Sequence, residues 1–265
     1  MKANGDNINI GKKDPLKEYY SSIVQTDTEE RIENLANRDV ALLLIDLQYL
    51  DAARGYGVFQ DILASGIPPE HEEYYFRTLE NQVLPNVQKL LKAFRKNRLE
   101  IIHIRIQSLT LDGRDRSNGH KRLGLHAAPG SKEAEFLEEV TPLENEIVIN
   151  KTASGVFSST NINYVLKNLG INELVVAGVY TNECVETTVR DACDLGYLVS
   201  LVEDACTTVT KELHQASITT LKDRYASVVS TMDIEERVEE NVTEEIKEVG
   251  GISHFTSHTY DDYQQ

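Results

Sequence analysis

A carboxylate, an ammonium and a thiol stand at comparable places in this sequence: Asp46, Lys151 and Cys184 each fall at or just beyond the end of a short apolar run. Leu174 to Ala177 is β-branched and apolar, suited to a strand buried on both faces, and Gly178 ends it. Thr181 and Asn182, both common N-cap residues, then precede a helical pattern from about Glu183 to Leu195. Cys184 is thereby placed in the first helical turn, where unpaired N–H groups and the positive dipole end stabilise a thiolate. An acyl-transfer nucleophile needs an exposed sulfur, a lowered pKa and backbone donors for a developing oxyanion. An ordinary buried thiol would read the same way, and position alone does not separate the two. Asp46 follows Val40 to Ile45 (VALLLI), where open α/β sheets bind ligands, although Asp also commonly closes a turn. Lys151 follows Glu146 to Asn150 (EIVIN); alone it reads as a solvated strand end. Parallel strands bring their C-terminal ends to one edge, so the three can converge. Together they suit thiol chemistry: Lys151 lowers the thiol pKa and keeps Asp46 ionised, while Asp46 takes the thiol proton and passes it to a leaving amine.

The elements that would position them alternate between strand and helix. Glu100 to Gln107 (EIIHIRIQ), Tyr197 to Val202 (YLVSLV) and Ala226 to Ser230 (ASVVS) are further strands. In the first of these, His103 and Arg105 alternate with isoleucines and face a partly polar side. Helices are expected over Glu72 to Lys96, with Pro85 kinking or dividing it, and over Lys132 to Glu139, Ser158 to Leu169 and Glu212 to Leu221. The pattern predicts βαβ units and a parallel sheet covered on both faces. Two long loops interrupt it. Residues 49–69 hold three glycines and two prolines, and residues 108–131 form a locally basic stretch with Arg114, Arg116, His120, Lys121 and Arg122. Loops of such length often act as lids or pocket walls.

The chain divides into an N-terminal extension at 1–38, a body of alternating strands and helices at 39–233, and an acidic helix with a polar tail at 234–265. Its 265 residues, 40% hydrophobic, suffice for a large core. A net charge of −16 argues against nucleic acid or an anionic membrane as partner. No apolar run approaches the roughly 20 residues of a membrane span, and the polar N-terminus has no signal-peptide core. Three cysteines, Cys184, Cys193 and Cys206, form no even framework and lack metal-ligand spacing, which favours a reducing, cytoplasmic setting. Cys193 and Cys206 are expected to be inert.

Three motifs in order, LLLIDLQ at Leu42 to Gln48, NKTASGVFSST at Asn150 to Thr160 and AGVYTNECVETTVRDACDLGY at Ala177 to Tyr197, resemble the isochorismatase-like cysteine hydrolases. The resemblance covers residues 39–233. It implies a three-layer αβα fold with a six-stranded, mostly parallel sheet, no cofactor or metal, and a homo-oligomer, dimer or tetramer. It also implies a triad of Asp46 as general acid/base, Lys151 as electrostatic partner and Cys184 as nucleophile. The oxyanion hole would be the backbone N–H groups of Tyr180 and Cys184, with the Val179–Tyr180 peptide bond cis. Substrate contacts are expected from Gln48, Phe157, Asn182 and Gln215, and at lower weight from the loop at His120 to Arg122.

Within the family, nicotinamidases carry Asp-x-His-x-x-His after the second strand. Here that region reads QSLTLDGRDRSNGHKRLG, and His120 and His126 lack the spacing. The segment HKRLGLHAAPGS, together with KTASGVFSST, is closer to the ureide branch of biuret hydrolases, ureidoacrylate amidohydrolases and N-carbamoyl amide hydrolases. The expected reaction is therefore cleavage of a C–N bond in a small urea-like amide through a covalent acyl-enzyme, with release of ammonia. A non-catalytic binding protein on the same fold is the rival from another class.

Overall fold

In the computed structural model, residues 16, 19, 20, 27–61 and 65–239 are described. Six parallel strands form one sheet in the order β3-β2-β1-β4-β5-β6. They are β1 (Val40–Ile45), β2 (Glu100–Ile106), β3 (Ile147–Lys151), β4 (Glu173–Val179), β5 (Leu198–Thr207) and β6 (Ser227–Val229). The helices are α1 (Asp27–Ala36), α2 (Pro69–Thr78), α3 (Leu84–Lys96), α4 (Ile162–Asn168), α5 (Glu186–Asp194) and α6 (Lys211–Leu221), with shorter turns between them.

The unbroken apolar run of β1 is explained by its place at the middle of the sheet. Leu42 and Leu44 pack on one face with Val87, Leu90, Leu91 and Phe94 of α3, whereas Leu43 and Ile45 pack on the other with Leu166, Val189 and Ile218. Strand periodicity thus feeds two cores, and each fully buried aliphatic side chain contributes roughly 1.5–3 kcal/mol. Both segments set apart in the sequence reach into this body. In α1, Leu35 joins the core and Arg31 donates to the buried Glu173 carboxylate at 2.8 Å. Residues 231–239 are helical and cross the expected boundary at 233, with Ile234 and Val238 buried and Arg237 also on Glu173. No helix among the described residues is long and apolar enough to cross a membrane.

Several helices differ from expectation for local reasons. The pattern over Glu72 to Lys96 begins earlier, at Pro69, and a π turn over Leu79–Val83 separates α2 from α3. Pro85 has no N–H for the α ladder, and the widened turn precedes it with Leu84 N–H donating to Leu79 O. Lys132 to Glu139 is two 3₁₀ turns, not one helix, because its backbone pairs with residues 47–49: Tyr49 N–H donates to Glu135 O and Leu137 N–H to Leu47 O. Thr181 and Asn182 are not caps. Thr181 Oγ1 lies 2.9 Å from His214 Nδ1, Asn182 Oδ1 accepts from Thr208 Oγ1, and Tyr180 begins the turn.

Gly178 sets the spacing of the two central strands. It sits at φ +126°, and a Cβ there would lie 2.2 Å from Ile45 O. That contact falls on the residue before Asp46. Gly178→Ala is expected to destabilise the fold by about 3 kcal/mol or more, since strain and overlap add. Chemical denaturation checks this, and an unchanged midpoint would show that β1 and β4 can separate freely.

Candidate active site

Each member of the expected triad hangs from the C-terminal edge of the sheet. Asp46 follows β1 directly, at φ +55°, a left-handed conformation that Asp tolerates better than most residues. Its N–H donates to Ile104 O, which fixes the turn against β2. Lys151 ends β3, two strand spacings or roughly 10 Å from β1. Its four-carbon stem carries the ammonium across β2, a distance a shorter cation could not span. Cys184 lies in the turn Thr181–Val185 after β4, a widened π turn in place of the ordinary helical start.

The three side chains converge. Lys151 Nζ is 2.9 Å from Asp46 Oδ2 and donates to Cys184 Sγ at 3.3 Å and to Ala153 O at 3.1 Å. The ammonium thus makes two hydrogen bonds and one ion pair, and the Lys151 side chain is fully buried. Asp46 is 1% exposed and Cys184 4%. The Val179–Tyr180 bond is cis, and Tyr180 N–H donates to no other group among the described residues.

Charge states follow from burial against pairing. Burial raises the Asp46 carboxyl above its ordinary range, with Lys151 pulling the other way. The Lys151 ammonium is held well above its usual value, because the pull of Asp46 and Cys184 outweighs the burial that would lower it. For Cys184 the lowered pKa expected from the helix start is corrected: burial pushes the thiol well above its ordinary value, and Lys151 only partly offsets it. Burial thus favours the protonated sulfur. The sulfur is also not exposed at the surface but sits on the wall of a cavity of about 250 Å³.

That cavity is where the remaining expectations divide. Tyr180 and Asn182 line it. Gln48 does not: it is fully buried, its amide donates to Ile106 O and Glu133 O, and its carbonyl accepts from Ile106 N–H, which ties the loop to β2. Phe157 does not line it either: its ring lies 5.9 Å from the Tyr197 ring, and it packs against the core cluster of α4 and α5 residues. Gln215 lines a separate cavity with Glu203, Asp204 and His214. Both long loops supply walls, Val58 and Ile67 from the first and His120, Leu123 and Leu125 from the second. Of that loop's basic residues, His120 lines the cavity. Arg116 is bonded to Gly113 O and Leu125 O, and Lys121 to Arg114 O, so these cations knit the loop's own backbone. His103 pairs with Glu146 at 2.8 Å, as its polar-facing position implied. Burial pushes Cys206 up to about 12, in keeping with an inert thiol.

Wall residues that sequence reasoning passed over are Asp51, Glu183, Ser154, Thr208 and Val209. Asp51 lies five residues after Asp46 in the turn Tyr49–Ala52, and its spacing carries no signal of a site. Thr208 and Val209 reach the site because β5 continues past its expected end at Val202 through a register shift against β4.

A family model described as the isochorismatase domain matches residues 40–233. The chain belongs to the isochorismatase family. It is 34% identical over 156 residues to the uncharacterized isochorismatase family protein YddQ of Bacillus subtilis, covering 55% of this chain and 81% of that one. It is 27% identical over 214 residues to ureidoacrylate amidohydrolase RutB of Acinetobacter baylyi, covering 74% and 82%. Among solved structures, a cysteine hydrolase from Pseudomonas syringae pv. phaseolicola shares the fold with a TM-score of 0.65 at 21% identity, covering 77% of this chain and 94% of that one.

Proposed function

We propose that this isochorismatase-family chain is a cysteine-dependent amidohydrolase that cleaves a C–N bond in a small urea-like amide, with biuret-like or N-carbamoyl substrates favoured. The observation that carries the reading is the buried ammonium of Lys151, in reach of both Asp46 and the cavity-lining Cys184. The cavity volume, about 250 Å³, falls below the roughly 300–1,000 Å³ of drug-sized ligand sites and suits a small planar substrate. Similarity to a ureidoacrylate amidohydrolase supports the ureide class.

Cys184 attacks the amide carbonyl as its proton moves to Asp46. The oxyanion that forms is met by the backbone N–H groups of Tyr180 and Cys184. Collapse breaks the C–N bond, and the amine leaves with the proton from Asp46. Asp46 then takes a proton from water as that water attacks the thioester, and returns it to the departing sulfur. Lys151 stays charged throughout. The site is built from this chain's own side chains, and no step calls on a metal or cofactor.

Ammonia release should be followed with biuret, ureidoacrylate, N-carbamoyl amides and nicotinamide as substrates. Turnover of a ureide is expected, and nicotinamide should be inert. Silence across the ureides, with Cys184 still alkylated rapidly at neutral pH, would overturn the substrate class. Silence with an inert Cys184 would favour a binding protein on this fold.

A further inference from the structure

The wall of the Cys184 cavity carries two carboxyl groups that the triad does not use, Asp51 and Glu183. Asp51 is 3% exposed and has an Oδ2 atom that is buried without a hydrogen-bond partner. Its backbone is held from two sides: Tyr75 Oη donates to Asp51 O at 2.8 Å and Tyr180 Oη donates to the same atom at 3.0 Å. A buried carboxyl clamped in place beside a nucleophile, yet left unpaired, is a group waiting for a ligand.

We propose that Asp51 determines specificity by holding the non-reacting carbamoyl end of a small ureide in a two-point acid–amide pair. This rests on the ureide reading above. A neutral carboxyl presents an O–H donor and a C=O acceptor side by side. A primary amide presents the complementary C=O and N–H at the same spacing, so the two close a cyclic pair with two hydrogen bonds. The groups facing Asp51 keep it neutral. Burial raises its carboxyl well above the ordinary range first, the negative charge of Asp46 adds to that, and Glu183 adds further, while Lys151 alone opposes them. The hydroxyls of Tyr75 and Tyr180 are themselves pushed up by burial and stay neutral, and so does His120, held down to about 4 by burial and by Lys151. An ionised Asp51 would offer only acceptors and would repel the amide oxygen. The wall also carries the apolar side chains of Val58, Ile67, Ile106 and Val209, which lower the local polarity around such a pair.

The test uses biuret and 1,1-dimethylbiuret, which keeps the reacting carbamoyl group but lacks N–H donors on the other end. Wild type, Asp51→Asn and Asp51→Leu are compared by KM and kcat from ammonia release. Wild type should prefer biuret at least tenfold in kcat/KM. Asp51→Leu should erase that preference through KM, with kcat within threefold. Asp51→Asn presents the same donor–acceptor edge and should keep the preference. KM for biuret in wild type should rise as pH climbs through the Asp51 pKa, because ionisation removes the donor, and Asp51→Asn should show no such limb. An unchanged preference in Asp51→Leu would overturn the proposal while leaving the amidohydrolase reading intact. So would equal losses in Asn and Leu, which would mark an ionised carboxylate instead. Should wild type release no ammonia, calorimetry of biuret on Cys184→Ala separates the two claims. Binding abolished by a further Asp51→Leu change would keep the Asp51 subsite and sink only the reaction, whereas absence of binding would sink both.

Discussion

Replacing Cys184 with Ser should lower ammonia release on the order of 10³-fold or more while leaving the unfolding midpoint within a degree or two. The reason lies in how the thiolate is made. Burial raises both the Asp46 and the Cys184 pKa, so each group alone resists charge. Moving a proton from the thiol to the carboxylate keeps one negative charge beside Lys151, so the desolvation penalty largely cancels. Lys151 Nζ stands 2.9 Å from the oxygen and 3.3 Å from the sulfur. At an effective dielectric of about 20 its attraction for the two differs by only about 0.7 kcal/mol. Transfer is therefore limited by the intrinsic acidities, and a serine hydroxyl, far less acidic than a thiol, is not activated by the same arrangement. The pH dependence follows. Asp46 must be ionised to accept the proton, so alkylation of wild-type Cys184 should fall as pH drops through the raised Asp46 pKa, above the ordinary carboxylate range. A Ser variant with more than a tenth of wild-type turnover, or alkylation that ignores Asp46→Asn, would sink the mechanism.

What the sequence reveals of this site depends on which physical rule fixes each residue. Asp46 and Lys151 were legible because a parallel sheet delivers strand ends to one edge whatever the side chains between them do. Adjacency to a triad member carried no such force. Gln48, two residues after Asp46, turns its amide into the backbone of β2 and Glu133, and Phe157, six after Lys151, faces Tyr197. Direction at those positions is decided by the short turns they lie in, where neither a period of two nor one of 3.6 applies. The Cys184 thiol differs from expectation for a related reason: residue type and position point to a nearby ammonium, but the extent of burial is a tertiary property, and it outweighs the pull of Lys151. The same gap hid Asp51, which by sequence is one more acidic residue in a loop and becomes informative only once its carboxyl is seen buried and unpaired.

Lys151→Met should inactivate the protein to a similar degree and, unlike Cys184→Ser, should also destabilise it. Lys151 and Asp46 are 0% and 1% exposed, so removing the cation leaves a carboxylate in a low-dielectric site with no counter-charge. Breaking a buried pair from one side costs roughly 3–5 kcal/mol, which for a chain of this size lowers the melting temperature on the order of 10 °C. The sign with pH is fixed by the Asp46 shift. Without Lys151 its folded-state pKa lies further above the unfolded value, so the defect is greatest at neutral pH and shrinks as pH falls and the carboxyl protonates. Adding Asp46→Asn removes the orphaned charge. The double variant should therefore regain most of the lost stability while staying inactive, since neither thiol activation nor proton return to the amine is possible. Stability and catalysis would then part company at one residue pair: the ion pair is neutral or mildly unfavourable to the fold as a unit, and its retention answers to the chemistry. A double variant as unstable as Lys151→Met would show instead that the methylene stem of Lys151, packed across β2, is what the structure requires.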